Sequence, residues 1–194
     1  MDSTQAHLLT QLKQRDPNAL AALFDQYANP VHRLALRLLH DSAQADDVVQ
    51  NTFLALIKHI DHFEGRARIH TWLYRVAYND AMMRLRSRPG AALEDDDGPE
   101  MLPAALIDWK GRPEDVLAQT EAVSEMDRAI AALSPRLRAV FTLRDVDELS
   151  THETAEALGL SESAVKVSLH RARLALREQL SAYFIERRGN HQEA

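Results

Sequence analysis

Apolar residues recur every three or four positions along most of this chain, the spacing of helices that pack on one side. Leu8, Leu9 and Leu12 start a short amphipathic helix, and Leu20, Leu23, Phe24 and Tyr27 carry the pattern up to Asn29-Pro30. The pattern is interrupted there, since proline has no N–H to give a helix interior, and resumes with Val31, Leu34, Leu36 and Leu39. A third helix is predicted after Asp41-Ser42, good N-cap residues, with Val48, Val49, Phe53, Leu56 and Ile57 on one side. After a loop over Asp61 to Arg68, a helix over about 69–86 combines an apolar stripe of Trp72, Leu73, Val76 and Met83 with Arg75, Arg84 and Arg86.

The periodicity lapses between Ser87 and about Glu114, where Pro89, Pro99, Pro103 and Pro113 accompany the acidic run Glu94 to Asp97. Such a stretch cannot hold a helix and reads as a flexible linker. Helical signals then return. Ser134-Pro135 is an N-cap followed by proline at the first helical position, and Ser150 to Glu153 fits the capping box. That helix is short and ends at Gly159, which can take the left-handed conformation a tight turn needs. Ser161 caps a last helix to about Leu180. The expected fold is all-α: two small helical domains, 1–88 and 120–194, joined by an acidic linker over 89–119, the second a helix-turn-helix.

Charge refines this picture. The formal net charge of −6 argues against a nucleic-acid partner until it is divided: residues 1–90 carry +2, residues 91–127 carry −9 and residues 128–194 carry +1. All the net acidity lies in and around the linker, whereas Arg66 to Arg88 holds six arginines against the single acid Asp80. Phosphate neutralisation needs clusters of that kind.

The stretch THETAEALGLSESAVKVSLHRAR supplies helix, Gly-containing turn and second helix, the parts of a helix-turn-helix whose second helix enters the major groove. At about 100° per residue, Val165, Leu169, Ala172 and Leu176 share one face, while Ser163, Lys166, Val167, His170 and Arg171 lie on or beside the other. The second face offers hydroxyl and cationic donors plus an exposed valine, suited to phosphates, base edges and a thymine methyl. An ordinary helical hairpin with a solvated charged face has the same spacing, so this motif does not decide the function by itself.

DDVVQNTFLALIKHI and HTWLYRVAYNDAMMRLRSR resemble the core region of bacterial sigma factors of the extracytoplasmic-function (ECF) type. LSPRLRAVFTLRDVDELSTHETAEALGLSESAVKVSLHRARLALREQL resembles region four of the same family along its whole length. The resemblance covers about residues 17–88 and 120–180, in the family's order. It implies that Asp46, Asp47, Gln50 and Asn51 dock on core RNA polymerase. It further implies that Arg66, Arg68, His70, Trp72, Tyr74, Arg75, Asn79 and Arg84 recognise and open the minus-ten promoter element, with Asn79 at a position that meets a flipped base. Ser163, Lys166, Val167, His170, Arg171 and Arg173 would read the minus-thirty-five element. A cognate anti-sigma factor is the implied regulator, and the free protein is expected to be a monomer.

Three features depart from the family's pattern. Thr154 replaces a usually aliphatic residue, its hydroxyl expected to bond back to the helix. Val167 and Ser168 replace a usual Ser-Arg pair, which puts the promoter sequence in doubt. The linker is longer and more acidic than a minimal tether.

Other functions fit less well. His152-Glu153 begins like a zinc-protease helix, but Glu156 stands where the second histidine ligand is required. With no cysteine and scattered histidines, neither a metal nor another cofactor is expected, and no catalytic residue is identified. A stand-alone helix-turn-helix regulator would suit the second module but leaves the first without a role. The N-terminus lacks a basic start and apolar core, and no apolar run approaches the ~20 residues that span a bilayer. A cytoplasmic location without membrane insertion is therefore expected.

Overall fold

The computed structural model describes the backbone of residues 3–65, 67–88 and 120–190, and side chains within these over 5–65, 67–88 and 124–181. Among the described residues there is no strand. Helices α1 (Ser3–Lys13), α2 (Pro17–Leu39), α3 (Ser42–His59) and α4 (Ile69–Arg86) form the first module. Helices α5 (Thr120–Ala132), α6 (Pro135–Phe141), α7 (Thr151–Leu158) and α8 (Glu162–Asn190) form the second.

Local chemistry explains most of these boundaries. The Asp16 carboxylate accepts from the Asn18 N–H at 2.9 Å with Pro17 at the first helical position, and Asp41 accepts from the Gln44 N–H at 3.0 Å to start α3. Contrary to the interruption expected at Pro30, α2 runs through it without a break for 23 residues. The helix forgoes one backbone bond there, but Val31, Leu34, Ala35, Leu38 and Leu39 beyond it are all buried. That burial outweighs one missing bond at roughly 1.5–3 kcal/mol per large aliphatic side chain. The helix ends at His40, in the left-handed region at φ 54°.

In the second module, Ser134 and Ser150 both cap, and Ser150 and Glu153 complete a capping box. Gly159 closes α7 at φ 68°, and the Ser161 hydroxyl accepts from the Ala164 N–H at 3.1 Å to open α8. The sequence pattern stops α8 near Leu180, but its backbone stays helical to Asn190, since residues 181–188 contain neither glycine nor proline. The linker over 89–119 lies outside the described residues.

Side-chain burial follows the predicted faces, with corrections. Leu9, Leu12, Leu23, Val48, Val49, Phe53 and Leu56 are buried, and Val165, Leu169, Ala172 and Leu176 form the inner face of α8. Phe24, Leu36, Ile57 and Met83 are exposed instead, Met83 at 63%. In α4 the buried stripe is carried by Ile69, Leu73, Ala77, Ala81 and Leu85, which keeps Leu73 of the predicted stripe and leaves Met83 exposed.

The two modules are in contact. A single apolar cluster extends from Leu9 and Leu23 through Leu73 and Ala77 to Val140, Leu143, Leu158 and Val165, while Ala129, Ile130, Leu133, Ala172 and Leu176 form a smaller one between α5 and α8. Helix α7 lies on α4, and α6 on α2. Buried Arg138 fastens one corner. Its Nε donates to the Ile130 carbonyl at 3.1 Å, Nη2 to those of Leu133 at 2.6 Å and Ala131, and Nη1 to that of Arg37 in α2 at 2.7 Å. One guanidinium thus caps the C-terminal end of α5 and ties it to the first module. Burial lowers its pKa, yet four carbonyls on a fixed fork keep it the donor of choice.

Thr154 is fully buried, and its hydroxyl has no hydrogen-bond partner among the described residues rather than the expected bond back to the helix. Replacing an unpaired buried hydroxyl by a methyl of the same shape removes a desolvation penalty. Thr154→Val is therefore expected to stabilise the protein by about 1 kcal/mol in urea unfolding. Arg138→Met, which keeps the stem but leaves the carbonyls without donors, is expected to destabilise it by roughly 3 kcal/mol in the same measurement.

Candidate nucleic-acid interface

The acidic and amide residues of α3 form one exposed patch. Asp46, Asp47, Gln50 and Asn51 are all exposed, because Ala45, Val48, Val49 and Thr52 take the buried side of the helix. Part of the patch is held in place. Asp46 meets His32 Nε2 at 3.3 Å, Asp47 meets Arg84 Nη1 at 3.2 Å, and the Asn51 amide donates to Asp80 Oδ2 at 2.9 Å. Arg84 also donates to Asp80 at 3.0 Å, and this hydrogen bond raises its pKa. Arg84 thus joins the α3 patch rather than the cationic residues at the start of α4.

Helix α4 carries two further polar faces. Arg75 and Asn79 are exposed and share a stripe with Met83 and Arg86, spaced by the four- and three-residue steps of one helix side. Neither Arg75 nor Arg86 meets a hydrogen-bonding or ionic partner among the described residues. Trp72 is half-buried, with Phe63 edge-on at 6.3 Å and 86°. Arg66 lies outside the described residues.

The remaining face of α4 and the residue before it, Arg68, point at the second module. The Tyr74 hydroxyl donates to Asp147 Oδ2 at 3.1 Å, and Arg33 of α2 donates through Nε to Oδ1 of the same carboxylate at 3.1 Å. The Asp147 side chain is only 2% exposed. Burial, joined by the Asp147 charge, pushes the Tyr74 hydroxyl well above the ordinary range, so it stays a protonated donor. Beside this cluster, Glu153 Oε1 lies 3.3 Å from His70 Nε2 and 3.4 Å from Arg68 Nη1. Tyr27 stacks on His70 at 5.8 Å. These groups line one open cleft of about 460 Å³ between the modules.

A π-helical segment over Thr142–Val146 positions the second module's carboxylates. Its wide turn, closed by the Asp147 N–H on the Thr142 carbonyl at 2.9 Å, carries Asp145 on one side and leads into Asp147 on the other. Asp145 receives both Nε and Nη2 of Arg173 at 2.8 and 2.7 Å, which holds that arginine against the π segment. On the rest of α8, Ser163 and Lys166 are exposed, Ser163 sharing a hydroxyl contact with Ser161 at 2.9 Å. Val167, predicted exposed, is half-buried, as are His170 and Arg171, on a helix that packs against both α6 and α7.

Asp147, Arg33 and the second role of Glu153 were not identified from the sequence. Glu153 carried a local signal, the capping box, which accounted for it fully. Arg33 and Asp147 are 114 positions apart, and no periodicity links them.

Two helical modules, one with a cationic helix and one with a helix-turn-helix, define a DNA-binding protein, and the comparisons with known proteins agree. Residues 23–89 match the family model of sigma-70 region 2, and residues 124–176 that of sigma-70 region 4. The chain is 32% identical over 177 residues to the ECF RNA polymerase sigma factor SigW of Bacillus subtilis (strain 168), covering 89% of this chain and 94% of that protein. In fold it is similar to CnrH, solved in complex with the cytosolic domain of CnrY, with TM-score 0.67, 24% identity and coverage of 92% of this chain and 97% of the other. It is also similar to RpoE of Bartonella quintana, solved with the anti-sigma factor NepR, with TM-score 0.61, 22% identity and coverage of 83% and 96%. The chain belongs to the ECF group of sigma-70 family RNA polymerase sigma factors, which direct transcription initiation. That membership sets aside the stand-alone regulator.

Among the described residues no group of three or more His, Asp or Glu could hold a metal ion, and no helix is long and apolar enough to cross a membrane.

The cleft is pH-sensitive. Burial lowers the His70 pKa below 6.5 despite Glu153, whose charge opposes that shift. Burial pushes Glu153 up, but bonds from Ser150 and the His70 and Arg68 charges bring it below its ordinary value. Both groups bind protons less well in the folded chain than at their ordinary values, so the fold loses stability on acidification, first through His70 as the pH falls below about 6.5 and then through Glu153. An NMR titration of His70 is expected to give a midpoint below 6.5, and Glu153→Gln to move it.

Proposed function

We propose that this sigma factor works through three surfaces. The patch of Asp46, Asp47, Gln50 and Asn51 docks on a basic face of core RNA polymerase, for which exposed carboxylates and amides beside the apolar Leu54 are suited. The stripe of Arg75 and Asn79, extended toward Arg66, Arg68, His70, Trp72 and Tyr74, receives the non-template strand at the minus-ten element, with Asn79 taking an unstacked base. Cations, an amide and flat rings are what single-strand capture requires. Ser163, Lys166, Val167, His170 and Arg171 read the upstream element in the major groove. Arg173, held by Asp145, acts there by positioning the helix.

The observation that carries this reading is the free face of α4, where Arg75 and Asn79 stand exposed beside Arg86. The chain supplies recognition and polymerase supplies the chemistry, so the chain is no enzyme and acts in the cytoplasm. The two structurally similar proteins were each solved with a bound protein, in the sigma factor RpoE the anti-sigma factor NepR. An anti-sigma factor contacting both modules is proposed here as well.

Run-off transcription with bacterial core polymerase on fragmented genomic DNA is expected to yield discrete new starts sharing two upstream elements, and their absence despite a proven complex would refute the reading. On such a promoter, Asn79→Ala is expected to impair opening, read by permanganate reactivity, and leave upstream binding nearly unchanged. Arg171→Ala is expected to weaken upstream binding by roughly 1–3 kcal/mol; equal losses in both assays for Asn79→Ala would refute its assignment.

A further inference from the structure

We propose that Met83 touches DNA in the opened promoter, its thioether packing on the base beside the one at Asn79, and that oxidation of this sulfur to the sulfoxide makes promoter opening sensitive to peroxide. The inference rests on the reading of α4 as the strand-binding helix.

A single apolar side chain at a surface needs no explanation by itself, but the place of Met83 does. It is 63% exposed, more than any other large apolar residue among those described, whereas its neighbour Met82 is 6% exposed and belongs to the core. The core makes little use of a side chain so exposed, and glutamine, lysine or glutamate would form the helix about as well. Met83 lies on the free stripe of α4, four residues after Asn79 and three before Arg86, with Arg75 at the other end. Asn79 and Met83 are about 6 Å apart along the axis at 1.5 Å per residue, less than two base steps of about 3.4 Å. A strand whose phosphates meet Arg75 and Arg86 and whose unstacked base meets Asn79 therefore brings the adjacent base within reach of Met83. The flexible thioether fills the irregular gap that unstacking leaves and makes favourable contacts with rings, and methionine is among the apolar side chains that hold base steps apart.

The sulfur is open to oxidants for the same reason that it is open to DNA. The chain has five methionines and no cysteine, so no thiol competes for the oxidant. Of the described methionines, Met82 is buried and Met126 is partly buried against the cluster between α5 and α8, which leaves Met83 as the exposed thioether. With hydrogen peroxide, a sulfur lone pair attacks one oxygen, the S–O bond forms as the O–O bond breaks, and the departing hydroxide takes the proton of the transferred oxygen and leaves as water. Sulfur gives up two electrons and the peroxide is reduced; methionine sulfoxide reductases reverse the change. The sulfoxide is polar and accepts hydrogen bonds, so it no longer packs on a base face and sets an oxygen beside the phosphates.

The purified chain is treated with hydrogen peroxide, cleared with catalase and added to untreated core polymerase on a promoter taken from the run-off mapping. Opening is read by permanganate reactivity, and sulfoxide by mass spectrometry of proteolytic peptides. Treatment is expected to lower opening by the unmutated chain about fivefold, the loss of one thioether–ring contact of about 1 kcal/mol, and to leave Met83→Leu at its own untreated level. Met83→Gln, which keeps length and helix propensity but not apolarity, is expected to open about fivefold less than Met83→Leu. In the complex with polymerase, promoter DNA carrying a mismatched, pre-opened minus-ten element is expected to slow sulfoxide formation at Met83 severalfold relative to Met126.

Equal sulfoxide formation with and without DNA overturns the contact. An equal loss on treatment in Met83→Leu, or opening by Met83→Gln that matches Met83→Leu, overturns the role of the sulfur. Asn79→Ala separates the inference from the reading beneath it: if that variant opens the promoter normally, α4 is not the strand-binding helix and the Met83 contact fails with it. If Asn79→Ala impairs opening and Met83→Gln does not, only the Met83 contact fails.

Discussion

A carboxylate with almost no exposure must be neutralised or met by donors, because an unpaired buried charge costs several kcal/mol. Asp147 is met by Arg33 and Tyr74, both from the other module. The position of the second module meets this requirement, with α7 lying along α4 where Asp147 reaches those donors. Apolar contacts then extend the join: Leu143, Leu149 and Leu158 continue the core that α2 and α4 begin. Apolar burial alone would tolerate sliding of one module on the other. Directional bonds to a buried carboxylate do not, so the ion cluster fixes the register of an interface whose attraction is mostly hydrophobic.

The second constraint is at the opposite corner. Arg138 takes carbonyls from the end of α5, which would otherwise be orphaned, together with one from α2. A lysine there could serve only part of that set with a point charge. The two anchors are of opposite sign and lie on different helix pairs, one cationic group among carbonyls and one carboxylate among donors. The interface is thus fixed at two places by groups that cannot substitute for each other.

How much of this was legible in the sequence depended on range. Caps and turns operate within four residues, and Asp41, Ser134, Ser150 and Gly159 announced helix ends that the structure contains. Periodicity operates within one helix, and it located the inner face of α8 correctly. It failed at Met83 and Phe24 because a helix with two covered sides has a wide apolar arc, and which edge of the arc is exposed depends on the neighbours. Pro30 misled for a related reason: a local penalty was overruled by burial on both sides. Thr154 shows the limit in the other direction, since a hydroxyl that could have bonded locally was left without a partner in the core. The site was legible as a list of cations and amides. Its division was not, because Arg84 turns to α3, Arg68 and His70 to α7, and Arg173 to the π segment, and each of those partners is distant in sequence or hidden by helix geometry.

Glu153 closes the capping box that starts α7 and also meets His70 and Arg68 across the interface. One carboxylate serves both tasks, Oε2 in the cap and Oε1 at the interface, so the two cannot be optimised independently. Fraying of the first turn of α7 loosens the grip on α4, and departure of α4 removes charges that hold the carboxylate in its capping position. Secondary structure and domain arrangement therefore share a degree of freedom, so that part of the resistance to separating the modules is the local stability of one eight-residue helix.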